Sequence, residues 1–143
     1  MFEAVGEKYW PAYFDTLHDR LKPGRNATLQ IITMQDKRFE THRHEVDFIQ
    51  KYIFPGGMLP SMSALHKEAA RAGLAVRGSM EFGKSYSQTL RRWHESFNAV
   101  WQDVARMAFD ERFRRMWTFY LTSCAGAFEG GHCDVTQITL TRT

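Results

Sequence analysis

Two cysteines in 143 residues are too few to staple a secreted scaffold, and Cys124 and Cys133 form no Cys-x-x-Cys pair. Buried thiols are what their isolation implies. No apolar run approaches the roughly 18–20 uncharged residues that a membrane-spanning helix needs, and the N-terminus lacks a basic segment followed by a hydrophobic one. Together these absences imply a cytoplasmic protein. No His-Glu-x-x-His occurs, so His42, His44 and Glu45, or His132 beside Cys133, are read as no metal site. Local sequence identifies no Ser/His/Asp arrangement either. Nothing matches Gly-x-Gly-x-x-Gly after a strand, the turn through which an open α/β sheet brings its backbone close to a nucleotide-like cofactor.

What is present suits one domain over 1–143, with 43% hydrophobic residues, enough for a core. The formal net charge of +3 comes largely from arginines, including Arg91, Arg92, Arg112, Arg114 and Arg115. Such a surface suits anionic phospholipid, where each basic residue is worth about 1 kcal/mol, and equally an ordinary solvated helix face. Nucleic-acid binding has little support, because the aromatics follow buried helical spacing and form no stacking motif.

The hydrophobic pattern alternates between elements. Trp10, Tyr13, Phe14, Leu17 and Leu21 recur at helical spacing from Glu7, with Pro11 tolerable in the first turn and Pro23-Gly24 ending the helix. Ala27 to Met34 reads as a buried strand. The charged stretch from Asp36 to Glu45 predicts a loop leading into a helix with Val46, Ile49 and Ile53 on one side, stopped by Phe54-Pro55-Gly56-Gly57. Ser61 caps a helix running to about Ala72, with Gly73 beyond its end. A strand follows over Leu74 to Phe82. From Tyr86 a single helical stripe runs through Leu90, Trp93, Phe97, Val100, Trp101, Val104 and Met107. A second helix carries Phe113, Met116, Trp117, Tyr120, Leu121 and Cys124 to Phe128. Cys133 to Arg142 is a Thr-, Val- and Ile-containing strand. The order places the chain in the α/β class and permits an antiparallel last strand.

Several blocks are distinctive. Met1-Phe2-Glu3-Ala4-Val5-Gly6, Lys51 to Ser61 with its Tyr-Ile-Phe-Pro-Gly-Gly core, Phe82-Gly83 through Tyr86 to Thr89-Leu90, and Tyr120-Leu121 followed by Cys124 to Phe128 resemble the C-terminal half of cyclopropane fatty acid synthases. The resemblance implies the later part of a class I S-adenosylmethionine-dependent methyltransferase fold, Rossmann-like, with inserted helices around a lipid pocket. It implies transfer of a methyl or methylene group from S-adenosylmethionine to the double bond of an unsaturated phospholipid acyl chain, at the inner membrane surface. The cofactor loop would lie in an N-terminal half this chain does not contain.

Cyclopropanation leaves a carbocation that must be shielded from water and a proton that a weak, fixed base must remove. In the family resembled, the base is bicarbonate, held by a glutamate, a histidine, a main-chain amide and a tyrosine. The glutamate matches Glu3, the tyrosine Tyr86 and the amide Ile32; Gln30 stands where the family has histidine. An amide donates a hydrogen bond as imidazole does but does not titrate, so the product stays open between ring, methyl and methylene. Tyr52, Phe54, Gly56, Gly57 and Trp93 are the implied acyl-pocket residues. The residues alone also allow blander roles: Glu3 a solvated carboxylate, Gln30 an edge polar residue, Tyr86 a core aromatic. Two activities stay open, a methyltransferase part completed by its other half and a lipid-binding module without catalysis. A homodimer is a further expected partner, through an uncovered sheet edge.

Overall fold

The computed structural model describes residues 1–143 and divides into two units, 1–81 with 133–143, and 82–132. The first begins with 3-10 turns at Phe2–Ala4 and Glu7–Tyr9. Then come α1 (Trp10–Arg20), β1 (Asn26–Met34), α2 (Asp36–His42), α3 (Phe48–Tyr52), α4 (Met62–Arg71), β2 (Leu74–Glu81) and, after the second unit, β3 (Cys133–Arg142). The sheet order is β1-β3-β2, with β3 antiparallel to both neighbours. The returning last strand that the sequence permits is therefore present, and it sits in the middle of the sheet.

β1 and β3 pair from Asn26 opposite Thr141 to Met34 opposite Cys133. Because side chains alternate across a strand, this register puts Ile31, Ile138 and Leu140 into one core with Trp10 and Phe14 of α1 and Leu65 and Ala69 of α4. The opposite face carries polar pairs, Thr28 Oγ1 with Thr139 Oγ1 at 2.9 Å and Gln30 with Gln137 at 3.1 Å. Arg142 ends β3 by donating to the carbonyls of Leu21 and His18 at 2.8 and 3.3 Å, so a strand terminus supplies the polar cap of α1.

The region read as a loop from Asp36 is a helix to His42. Its pattern is too short to show a period, yet Phe39 is buried and stacks on Trp10 at 6.1 Å. One aromatic anchor suffices to dock two charged turns. The helix expected from Val46 begins later, at Phe48, because Asp47 forms a capping box with Gln50; Val46 lies outside it and is exposed. Ser61 caps α4 through a bond from the Ala64 amide, and Gly73 follows at positive φ, as read from the sequence.

The second unit consists of α5 (Gly83–Ala99), α6 (Trp101–Arg106) and α7 (Glu111–Glu129). The single stripe predicted from Tyr86 to Met107 is two helices, broken at Val100. Val100 and Met107 are exposed, while Trp101 is buried with the Arg114 guanidinium over its ring at 5.2 Å. Residue types that continue a helical period do not reveal a corner whose two sides share one aromatic contact. Ser87 Oγ donates to the Ala125 carbonyl at 2.9 Å and fixes α5 against α7. No helix in the molecule is long and apolar enough to cross a membrane.

Candidate active site

The site begins with a strand edge. Successive backbone amides of β1 point alternately to β3 and away from it, and two of the outward ones are taken by other parts of the chain. Ile32 N–H donates to Glu3 Oε1 at 2.6 Å, and Met34 N–H to the Pro60 carbonyl at 3.0 Å. Phe2 holds the glutamate there: its buried ring stacks on Trp10 at 5.3 Å and meets Tyr13 and Phe14 edge-on. The Phe-Glu pair thus works as an anchor and a reaching carboxylate.

The Pro-Gly-Gly loop closes over the same turn. Met58 N–H donates to the Glu3 carbonyl at 2.8 Å, and Gln50 Nε2 donates to the Gly57 carbonyl at 3.0 Å. A Cβ on Gly57 would stand 3.1 Å from the Phe54 carbonyl oxygen and 3.3 Å from that of Glu3. Glycine lets the two backbone carbonyls approach this closely without displacement. Gly56 has φ +80°, open to glycine and strained for other residues. Tyr52 and Phe54 are half exposed on this loop, apolar surface beside the glutamate turn.

Electrostatics add to the picture. Glu3 Oε2 pairs with the Met1 ammonium at 3.0 Å. Burial, and then the charge of Glu3, hold the Tyr13 phenol above its ordinary range. On the far side of the loop, Asp36 lies below the usual carboxylate range, first because the Ser61 hydroxyl donates to it and further through Ser63. That bonding ties the start of α2 to the start of α4.

Gln30 lies two residues before Ile32 on the same strand face, and its Oε1 accepts from Gln137 Nε2. The pair orients the Gln30 amide so that its Nε2 is left to donate elsewhere. Sequence reasoning missed Gln137, since nothing local links it to β1; only the strand register does. Glu3, the Ile32 amide and the Gly56–Gly57 loop are thus brought together. Tyr86 and Trp93 belong to the helical unit, where Tyr86 packs edge-on against Trp93 at 6.3 Å and Phe128 at 5.3 Å, and Trp93 is half exposed.

For a nucleotide cofactor the residues present do not fit. β1 runs through Met34 and Gln35 straight into α2 without a glycine, so no turn here lets backbone approach a ribose or a sulfonium. The Ile32 amide donates to an anionic oxygen here, and that oxygen is Glu3 Oε1 itself, so a separate small oxyanion would have to take the place of the carboxylate on this amide.

Residues 1–138 match the family model described as mycolic acid cyclopropane synthetase. A tuberculostearic acid methyltransferase of Mycobacterium tuberculosis is 41% identical over 143 residues, which is 99% of this chain and 34% of that protein. The cyclopropane-fatty-acyl-phospholipid synthase of Escherichia coli K12 is 36% identical over 99% of this chain and 36% of its own length. The solved cyclopropane synthase MmaA2 of M. tuberculosis superposes with a TM-score of 0.85 at 27% identity, covering 98% of this chain and 52% of that one. The chain thus spans about a third of the curated relatives and about half of the solved one. A match over nearly every residue, in sequence and in backbone, makes this chain a member of the mycolic acid cyclopropane synthetase family.

Proposed function

We propose that this chain is the base-holding, lipid-facing part of an S-adenosylmethionine-dependent methyltransferase that alkylates the double bond of an unsaturated phospholipid acyl chain. The observation that carries the reading is the 2.6 Å bond between Glu3 and the Ile32 amide, with the Gly56–Gly57 loop closed over the glutamate backbone. In this reading the catalytic set is Glu3, Gln30, the Ile32 amide and Tyr86. Glu3 would accept from the hydroxyl of a bicarbonate; Gln30 Nε2, the Tyr86 hydroxyl and the Ile32 amide, once it exchanges Glu3 Oε1 for the anion, would donate to its charged oxygens. Held in this way, the anion supplies a weak base near the reacting carbon. Tyr52, Phe54 and Trp93, with the backbone at Gly56 and Gly57, supply apolar, electron-rich surface that excludes water and tolerates positive charge.

Gln30 narrows the chemistry that this chain's own residues perform. It donates without titrating, so it holds an anion and relays no proton. The family includes a relative named as a methyltransferase and another named as a cyclopropane synthase, and both a branched and a ring product agree with a non-titrating residue here. The cofactor itself falls to the part of the family's architecture that this chain does not match. S-adenosylmethionine titrated into the chain alone is expected to give no heat beyond dilution.

The deciding experiment uses the enzyme completed with the unmatched part of the M. tuberculosis relative. Glu3→Gln and Tyr86→Phe are each expected to lower turnover by roughly 100-fold or more, while the cofactor dissociation constant stays within about twofold. Turnover equal to that of the parent would remove these residues from the site.

A further inference from the structure

We propose that a cleft between α5 and α7 binds a small zwitterion: an ammonium and an oxyanion joined by a short aliphatic chain. This site belongs to the helical unit alone and does not depend on the anion reading.

The cleft holds about 190 Å³. Its floor is apolar, made by Leu90 of α5 with Leu121 and Ala125 of α7, all three almost wholly buried. Four polar side chains stand around this floor, Arg91, His94 and Glu95 of α5 and Thr122 of α7. The bond from Ser87 Oγ to the Ala125 carbonyl pins the two helices together beside it, so the walls are carried on regular elements held in place.

Each wall residue has a fixed hydrogen-bonding sense. Asn98 accepts from Arg114 Nη2 through its Oδ1 at 3.4 Å and so turns its Nδ2 toward His94, where it donates to Nε2 at 2.9 Å and to the carbonyl at 3.1 Å. In the neutral ring an Nε2 that accepts leaves the proton on Nδ1. His94 is therefore a donor at Nδ1, and that N–H has no partner in the chain. Thr122 is the reverse case: its one proton goes to the Thr118 carbonyl at 2.8 Å, and its oxygen is left to accept. Arg91 only donates, and ionised Glu95 only accepts. The cleft thus presents two donors and two acceptors, with one full charge of each sign.

Those charges are unspent. Arg91 and Glu95 are exposed and one helical turn apart, about 5–6 Å at Cβ, yet neither is paired with the other or with any other residue. Elsewhere in this unit neighbouring acids and arginines do close, Asp103 with Arg106 at 3.0 Å and Glu111 with Arg114 at 3.7 Å. In both of those the acid precedes the arginine, the order that suits the helix dipole; here the order is reversed.

A ligand with a single charge would meet one of the two and leave the other unanswered. A zwitterion answers both. Its oxyanion takes the Arg91 guanidinium and His94 Nδ1–H, its ammonium takes Glu95 and the Thr122 oxygen, and the methylenes between them lie on Leu90, Leu121 and Ala125. A free ω-amino acid and the ethanolamine headgroup of a phospholipid share this chemistry.

The test titrates the full 143-residue chain with γ-aminobutyrate, followed by NMR of its amides, and in parallel with butyrate and butylammonium, which each lack one of its charges. Shifts should saturate, centred on positions 90–95 and 121–125, with a dissociation constant on the order of 1 mM. The singly charged compounds should bind about tenfold more weakly. Arg91→Gln should bring γ-aminobutyrate down to the level of butylammonium, and Glu95→Gln to that of butyrate, with the melting temperature retained in both. Flotation with phosphatidylcholine vesicles, with and without phosphatidylethanolamine, separates the two sources. Retention that needs phosphatidylethanolamine and is lost in Arg91→Gln supports the site with a lipid headgroup as its ligand; saturable γ-aminobutyrate binding without such retention supports it with a soluble one. Equal affinity for butyrate and γ-aminobutyrate, or binding indifferent to Glu95→Gln, would overturn the proposal and leave an ordinary basic patch. Shifts that do not saturate, with no retention that depends on Arg91, would overturn it as well.

Discussion

The two units hold their apolar residues in different ways. In the α/β unit, Phe2, Trp10, Phe14, Ile31, Leu65 and Leu140 are almost wholly buried, and the loops around them are tied by backbone bonds such as Met58 N–H to the Glu3 carbonyl and Met34 N–H to the Pro60 carbonyl. In the helical unit, rings follow one another, Phe97 of α5 to Phe113 of α7, then Phe113 to Trp117 and Trp117 to Tyr120 along α7. Trp93, Val100, Met107, Phe109 and Phe119 remain substantially exposed there. The difference teaches that both units use aromatic contact, as Phe2 on Trp10 shows in the first, while the first adds strand register and backbone closure that the second lacks. Large apolar residues are exposed in the first unit too, Tyr9, Val46, Tyr52, Phe54 and Met80 among them, so exposure alone does not separate the two units.

The comparison is broken most forcefully by emptying each core. Phe14→Ala is expected to cost about 3–5 kcal/mol and Leu121→Ala about 2–5 kcal/mol, read by urea unfolding. Amide exchange should quicken mainly in α1, β1 and β3 for the first variant, and in α5 and α7 for the second. Uniform quickening in both variants would mean that the units open as one.

Backbone closure is probed by Gly57→Ala. Its new methyl meets carbonyl oxygens at 3.1 and 3.3 Å, and a cost of about 1–3 kcal/mol is expected. Gly78→Ala is the control: nothing lies within 4 Å of its added Cβ, so its effect should stay within about 0.5 kcal/mol.

In the helical unit the corner between α6 and α7 holds Ala108 at φ +69°, a conformation that L-residues with a Cβ enter at a cost. Ala108→Gly is expected to raise stability by about 0.5–1 kcal/mol, measured in the same unfolding experiment. No gain would mean that the unfolded-state entropy of glycine cancels the relief.

The smallest expected effect is one of pH. Burial first, and then the neighbouring Cys124 and Tyr86, push the Tyr120 phenol up from 10.0 to about 12. Because the folded chain favours the protonated phenol, this contribution to stability is complete below pH 10 and is lost as the pH rises through about 12. Tyr120→Phe should flatten that alkaline slope in urea midpoints taken between about pH 9 and 11, and an unchanged slope would place its origin elsewhere.

Legibility in the sequence followed the length of the pattern. α1, α4, α7 and all three strands show in residue order, because each repeats its period several times or carries an end signal such as Ser61, Gly73 or Pro11. α2 does not show, since two charged turns docked by Phe39 alone have no period to read. The break at Val100 is hidden for the opposite reason: the apolar spacing continues through it while the backbone turns. Glu3 and Ile32 were legible only as members of a motif, and the bond between them joins positions 29 residues apart. Gln137 carried no signal, because its partner Gln30 is 107 residues away.

By itself the sequence determined local preference: where helices start, which strand faces are apolar, where glycine alone fits, and which family the chain belongs to. Only the tertiary structure decided that β3 lies between β1 and β2, that Glu3 and Pro60 come back to take the Ile32 and Met34 amides, and that polar groups of α5 and α7 share one cleft. The physical reason is range. Capping and hydrophobic period act over a few residues, whereas a strand edge is completed or left open by groups that the chain brings back from far away in its own order.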